Sequence, residues 1–266
     1  MNKEHYVIRG GREGYERLAL LARVFWSGTK ALFERVGIGS GMTCLDLGCG
    51  GGAVTFQLAR LVGTGGQVIG VDMDEIKLAL ARAAASEQGF SNLEFKAMNV
   101  YDWHESEVYD IVYCRMLLQH LSQPVGLLKK MWAAVKPGGA LIVEDSDFDG
   151  AFCYPPNDGY DLCIRNYCKL LESYGGDAGI GHKLYGYFLE AGIPNPNLSI
   201  NQPVNATGEM KRLKLLTLEA TADSMLGQGL ASRNEIDAAI ASLAAFTDDP
   251  QTLIAESRLF QLWSRK

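Results

Sequence analysis

Long apolar runs are what this 266-residue chain lacks. Its fully apolar stretches, such as Ala140-Leu141-Ile142-Val143, fall far short of the ~20 residues a membrane span needs. The start, Met1-Asn2-Lys3-Glu4-His5, has no hydrophobic segment of the signal-peptide kind. Cysteine is scarce as well: there are six, none in Cys-x-x-Cys spacing, and Cys44, Cys49 and Cys114 fall in or beside strand-like runs. A disulfide scaffold and a zinc or redox pair are thereby excluded, so no metal and a reduced, cytoplasmic setting are expected. Basic excess is missing too. Twenty-five Lys and Arg stand against 31 Asp and Glu, a net charge of −6, which argues against a nucleic-acid partner. What is present, 47% apolar and 21% charged residues, is the balance of a soluble globular protein with ample core. The length suits one large domain or two small ones.

No internal repeat, low-complexity tract or linker interrupts the chain. Tyr15, Leu18, Leu21 and Phe25 recur at helical spacing within residues 14–36, which predicts one or two helices. From Gly41 onward, short apolar runs alternate with helical patterns. Strands are expected at Met42–Leu47, Gln67–Val71, Leu93–Ala97, Ile111–Cys114 and Ala140–Val143. Helices are expected at Ala53–Leu61, at Asp74–Gln88 with Asp74 as its cap, and at Val125–Val135, ended by Lys136-Pro137-Gly138-Gly139. Continuous apolar strands separated by helices imply a parallel sheet covered on both faces. The expected fold is therefore α/β, a Rossmann-like doubly wound sheet, mostly parallel with an antiparallel C-terminal strand at Ser257–Ser264. Helical cover elements complete it: helices near Tyr160–Tyr174, Lys183–Ala191, Glu209–Leu226 and Arg233–Phe246, with a strand around Leu198–Pro203. A single domain is expected, with 1–36 as N-terminal cover, 37–145 as cofactor-binding core and 146–266 covering the substrate.

The strongest local signal is Leu45-Asp46-Leu47-Gly48-Cys49-Gly50-Gly51-Gly52-Ala53. A strand breaks into a glycine turn and feeds a helix, so backbone can lie close to a ligand at the strand's carboxyl end. Gly48, Gly50 and Ala53 also satisfy the dinucleotide fingerprint, with Asp72 about 20 residues on. Asp72 can accept both hydroxyls of an adenosine ribose. Asp46 helps to choose between ligands: beside a pyrophosphate it repels, beside an ammonium and a sulfonium it attracts. Its alternative role is to hydrogen-bond the turn's own amides.

Cys44 to Gly52 resembles motif I of class I S-adenosylmethionine-dependent methyltransferases. Val68-Ile69-Gly70-Val71-Asp72 resembles their second strand, Tyr109 to Cys114 their fourth, and Lys136-Pro137-Gly138-Gly139 the turn before the fifth. The resemblance covers roughly residues 35–145; beyond it, residues 5–30 and 180–266 resemble, more loosely, the menaquinone and ubiquinone C-methyltransferase-like branch. It implies S-adenosylmethionine as cofactor and S-adenosylhomocysteine as product. By the same resemblance Gly48, Cys49 and Gly50 approach the methionine moiety, Asp46 serves its ammonium and Asp72 the ribose. Met73 packs on adenine, whose amino group meets Asn99 where the family usually has an acid, and the amide of Val100 donates to the ring. Arg115 lies beside the methionine end through its backbone carbonyl, and Tyr6 covers the cofactor.

Methyl transfer needs chiefly alignment and exclusion of water, so no invariant catalytic side chain follows from the reaction. Candidates are His120, able to titrate near neutral pH, and Asp145 in the acidic cluster Glu144-Asp145-Asp147, where alternation sets Glu144 and Asp145 on opposite faces. Phe148, Phe152, Tyr154, Pro155 and Pro156, with Tyr167, Tyr185 and Tyr187, offer aromatic walls for a small, partly apolar acceptor, with oxygen or carbon favoured over nitrogen as the methylated atom. Lys211, Arg212 and Lys214 read as a solvated helix face. Two rivals stay open: an NAD(P)-dependent oxidoreductase and a non-catalytic S-adenosylmethionine-binding regulator. A nucleic-acid methyltransferase is set aside, since Cys114-Arg115-Met116-Leu117 lacks the Asn-Pro-Pro-aromatic stack. A homodimer is compatible with the sequence.

Overall fold

The computed structural model describes residues 11–266. The central sheet is built from β1 (Thr43–Leu47), β2 (Gln67–Asp72), β3 (Leu93–Ala97), β4 (Tyr109–Arg115), β5 (Val135–Asp147), β7 (Asn197–Asn201) and β10 (Arg258–Arg265). Their order is β3-β2-β1-β4-β5-β10-β7. β1 to β5 run parallel, and β10 runs antiparallel to both β5 and β7. The strand order reverses between β1 and β4, which opens a crevice at their carboxyl ends. The doubly wound, mostly parallel sheet with an antiparallel C-terminal strand is the architecture the sequence predicts.

Helices cover both faces, because strands such as β1 and β4 bury apolar side chains on each side. Leu45, Leu47, Val112 and Val143 pack toward α4 (Pro124–Ala134) and α6 (Ile180–Glu190), whereas Cys44, Val68, Ile111 and Ile142 pack toward α1 (Gly11–Val36) and α2 (Ala53–Val62). Local chemistry fixes several helix starts. Asp74 accepts hydrogen bonds from the amides of Ile76 and Lys77 and caps α3 (Glu75–Glu87), and Pro124 occupies the first turn of α4. α1 is one continuous 26-residue helix.

Two features depart from the expected pattern. β5 runs from Val135 to Asp147, through Lys136-Pro137-Gly138-Gly139; Gly138 adopts φ 82° and the register with β4 shifts between Tyr109 and Ile111, so the glycine pair bulges a strand rather than preceding one. The strand continues past Val143 because β10 pairs with it as far as Asp147. A second sheet is also present: β6 (Phe152–Tyr154), β9 (Leu253–Ala255) and β8 (Val204–Asn205), paired antiparallel. A separate apolar cluster joins α5 (Asp158–Ser173), α7 (Leu213–Gly227) and α8 (Arg233–Asp248) around Leu170, Leu218, Met225, Ile236 and Leu243. α1 and α7 pack together above the crevice.

Candidate active site

β1 ends at Leu47, and the chain turns through Gly48 (φ 71°), Gly50 (φ 54°) and Gly52 (φ 77°) before α2 begins. A Cβ at Gly48 would lie 2.9 Å from Leu117, and one at Gly52 would lie 2.8 Å from Phe95, so both backbone angle and space demand glycine there. Asp72, at the end of the neighbouring β2, ties the turn down: its carboxylate accepts from the Gly50 amide at 2.8 Å and from the Asp74 amide at 2.9 Å.

Asp46 is buried in β1, and one carboxylate oxygen accepts from the Thr55 hydroxyl at 2.7 Å, so its anchor is a side chain of α2 rather than an amide of the turn. Burial pushes its pKa up from the ordinary 3.8 to about 7, with the Thr55 hydrogen bond and the nearby Arg115 guanidinium pulling the other way. Arg115 closes β4; its guanidinium approaches the Thr29 hydroxyl of α1 at 3.4 Å and lies on the cleft wall. Thr29 also donates to Glu144, a fully buried carboxylate that receives the Tyr113 and Gln261 side chains at 2.6 Å each.

Two adjoining cavities share Gly48, Asp72, Met116 and His120. One is lined by Met73, Asn99, Val100, Tyr101 and Leu117. The other holds Asp46, Gly50 and Arg115 at one end and Phe148, Tyr167, Lys214 and Glu256 at the other.

The structure gathers Asp46, Gly48, Cys49, Gly50, Asp72, Met73, Asn99, Val100, Arg115 and His120 around this paired cleft. Tyr6 lies outside the described residues. Several expectations are corrected. His120 does not titrate near neutrality: burial, then the charges of Arg17 and Lys77, push its pKa down from 6.5 to about 4. Asp145 is buried and lines neither cavity; its carboxylate accepts from the amides of Gln119 at 3.2 Å and Ser146 at 2.9 Å, securing the loop after β4. Burial raises its pKa to about 7 against the pull of those amides. Asn99, which lines the cavity, accepts from the Tyr101 amide at 3.0 Å through its side-chain oxygen, an atom with a second lone pair. Of the aromatic walls, Phe148 and Tyr167 reach the cleft, with ring centroids 5.0 Å apart, while Phe152, Tyr154 and Tyr185 are exposed elsewhere.

The basic trio is not a solvated face. Lys211 and Lys214 are buried and only Arg212 is exposed. The Lys214 ammonium sits 2.5 Å from a carboxylate oxygen of Glu256, and Lys211 donates to the Asp249 carbonyl at 2.6 Å. The sequence showed these lysines but not their partners, because Glu256 and Asp249 meet α7 and the turn before it only once the small sheet and α8 fold back on them. Arg17, Gln119, Ser146 and Glu256 carried no sequence signal, yet all four line the cleft.

The glycine turn after β1, the acid that ends β2 and the reversed strand order together define an α/β protein with a ligand crevice at the carboxyl ends of its strands. A family model described as "Methyltransferase domain" matches residues 38–188, more than half of the chain. The chain belongs to this family, the class of S-adenosylmethionine-dependent methyltransferases. Among curated proteins it resembles the ubiquinone biosynthesis O-methyltransferase of Acinetobacter baumannii, with 35% identity over 111 residues, 41% of this chain and 46% of that protein. The corresponding protein of Pseudomonas syringae pv. syringae is 38% identical over 111 residues, again 41% and 46% of the two chains. The match thus spans about half the length of these relatives. Among solved structures, a SAM-dependent methyltransferase from Aquifex aeolicus aligns with a TM-score of 0.54 at 19% identity, over 70% of this chain and 88% of that one. Phosphoethanolamine N-methyltransferase 2 of Haemonchus contortus, in complex with S-adenosyl-L-methionine, aligns with a TM-score of 0.58 at 17% identity, over 94% and 57%. Such likenesses show the fold. Among the described residues no helix is long and apolar enough to cross a membrane.

Proposed function

We propose that this protein transfers the methyl group of S-adenosylmethionine to an oxygen or carbon of a small, partly apolar acceptor. The observation that carries this is the paired cleft: a nucleoside-sized lobe from Asp72 to Val100 runs past the glycine turn into a lobe with opposite charges at one end and aromatic rings at the other. The donor set fits the cofactor. Asp72 keeps lone pairs for ribose hydroxyls after accepting two amides, and Met73, Asn99, Val100 and Leu117 line the lobe that would take the adenine. At the far end Asp46 complements an ammonium and the Arg115 guanidinium a carboxylate. A pyrophosphate in the same place would meet the Asp46 carboxylate, which disfavours the dinucleotide rival, whereas Asp72 suits the ribose of either ligand.

When bound, the cofactor supplies a methyl group on a sulfonium already activated for displacement. The chain's own contribution is alignment and dryness, which together can reach about 7–11 kcal/mol of barrier reduction. α1 and α7 roof the second lobe, and Phe148 and Tyr167 give the acceptor an apolar seat within it. A hydroxyl proton becomes strongly acidic as its oxygen begins to bond carbon, so a weak base suffices. Neutral His120, shared by both lobes, is positioned to accept it. The name of the curated relatives, ubiquinone biosynthesis O-methyltransferase, supports oxygen as the methylated atom. Isothermal titration tests the function: S-adenosylhomocysteine binds and NAD does not. NAD binding without S-adenosylhomocysteine binding would reverse the choice, and tight binding with no turnover on any acceptor would favour a regulator.

A further inference from the structure

The lobe that holds Phe148 and Tyr167 carries buried polar atoms with no partner among the described residues. Arg17 Nε, Gln119 Oε1, Ser146 Oγ and Glu256 Oε1 are all buried, none has a hydrogen-bond partner among the described residues, and all four residues line the same lobe. Arg17 is 7% exposed and Glu256 1%. Proteins rarely bury such atoms unpaired, and four of them on residues that line one lobe mark that lobe as one a ligand completes.

The charges sort into two sets. Asp46 and Arg115 form the first, beside the glycine turn, and between them match a zwitterion. The second is formed by Arg17 of α1, Lys214 of α7 and Glu256 after β9. Lys214 and Glu256 neutralise each other at 2.5 Å, and Arg17 hydrogen-bonds Thr217 of α7 through Nη1 at 3.3 Å. The second set therefore keeps one net positive charge, and its free atoms are one donor on Arg17 and one anionic acceptor on Glu256.

Resting on the function proposed above, we infer that the acceptor is a small hydroxylated acid: its anionic group meets Arg17, a hydroxyl other than the atom methylated donates to Glu256 Oε1, and its apolar body lies against Phe148 and Tyr167. Carboxylate and phosphate share the required anionic chemistry. Lys214 is a positioning residue, holding the Glu256 carboxylate in place while its ammonium sits 5.4 Å from the centre of the Phe148 ring. An amine acceptor is disfavoured by Arg17, whose charge would repel it.

Binding to the protein saturated with S-adenosylhomocysteine tests this without an assay of turnover. The probes are 4-hydroxybenzoate, 4-hydroxyphenylacetate and 3-(4-hydroxyphenyl)propionate, their methyl esters, the same acids without the hydroxyl, 4-hydroxyphenyl phosphate and tyramine. At least one hydroxy acid or the phosphate should bind about tenfold tighter than its ester or its dehydroxy counterpart, about the worth of one charged hydrogen bond. R17Q should erase the acid–ester difference and E256Q the hydroxyl difference, each leaving S-adenosylhomocysteine affinity within about threefold. The wild-type comparison stands even if E256Q fails to fold. Tyramine or the esters binding as well as the acids, or no acid binding, would overturn the inference. So would R17Q weakening S-adenosylhomocysteine while acid selectivity survives, since Arg17 would then belong to the cofactor. Failure of the wild type to bind S-adenosylhomocysteine at all would sink the cofactor assignment instead.

Discussion

At the scale of single residues, the site depends on carboxylates whose surroundings set their charge. Asp46 is raised to about 7, so in the free protein it is neutral below that pH and must ionise to hold an ammonium. Affinity for S-adenosylhomocysteine should therefore be flat above pH 7 and fall by up to about tenfold per unit below it, and Asp46→Asn should abolish that slope. Titrations at pH 6 and 8 decide the matter; equal affinities would separate Asp46 from the ammonium. The linkage to stability has the opposite sign. Asp46 and Asp145 keep protons in the native state that the unfolded chain releases above about pH 4, so their stabilisation is full at low pH and lost as pH rises through about 7. His120, held down at about 4, stays neutral above pH 5, so its imidazole resonance should show no inflection near 6.5. Asp72→Ala should weaken S-adenosylhomocysteine binding by about 1–3 kcal/mol, because a charged acceptor is lost and the Gly50 amide is released with it. Unchanged affinity in a folded variant would remove Asp72 from the ribose.

Among the elements, those with strong local signals stood out in the sequence. β3 lies at its expected bounds, α2 and α4 within a residue or two, and α3 starts at the cap that Asp74 announces. β6, β8 and β9 were not foreseen, since two or three residues give no period to detect and their pairing joins segments about 50 to 100 residues apart. The same sheet brings Glu256 to Lys214 and so turns an apparent surface lysine into part of the cleft. Removing one partner of that buried pair, as in Lys214→Met, should cost about 3–5 kcal/mol by leaving an uncompensated charge. The double change Lys214→Met with Glu256→Leu should recover most of it. Urea denaturation measures both, and additive losses would show that the pair is not coupled.

For the whole molecule, the cleft lies between the sheet edge and a roof contributed by the N-terminal helix and by segments from the last third of the chain. α1 is tied down at Arg17 to Thr217, at Arg23 to Glu209 and at Thr29 to Glu144. A ligand bridging sheet and roof stabilises the fold by mass action. S-adenosylhomocysteine at 100 times its dissociation constant should add about 2.7 kcal/mol, and so raise the melting temperature by about 5–10 °C in a chain of this size. Calorimetry showing no shift under saturating ligand would mean that binding does not engage the native cleft.

Taken alone, the amino-acid sequence determined the sheet, the glycine turn and the two acids beside it, because these depend on short-range rules: apolar runs, positive-φ glycines, caps and a fixed interval from strand to strand. Tertiary structure alone decided what those residues experience. Burial neutralises His120, withdraws Asp145 from the cleft and sets Arg17, Lys214 and Glu256 on its far wall, since desolvation and ion pairing depend on which distant segments close over a residue.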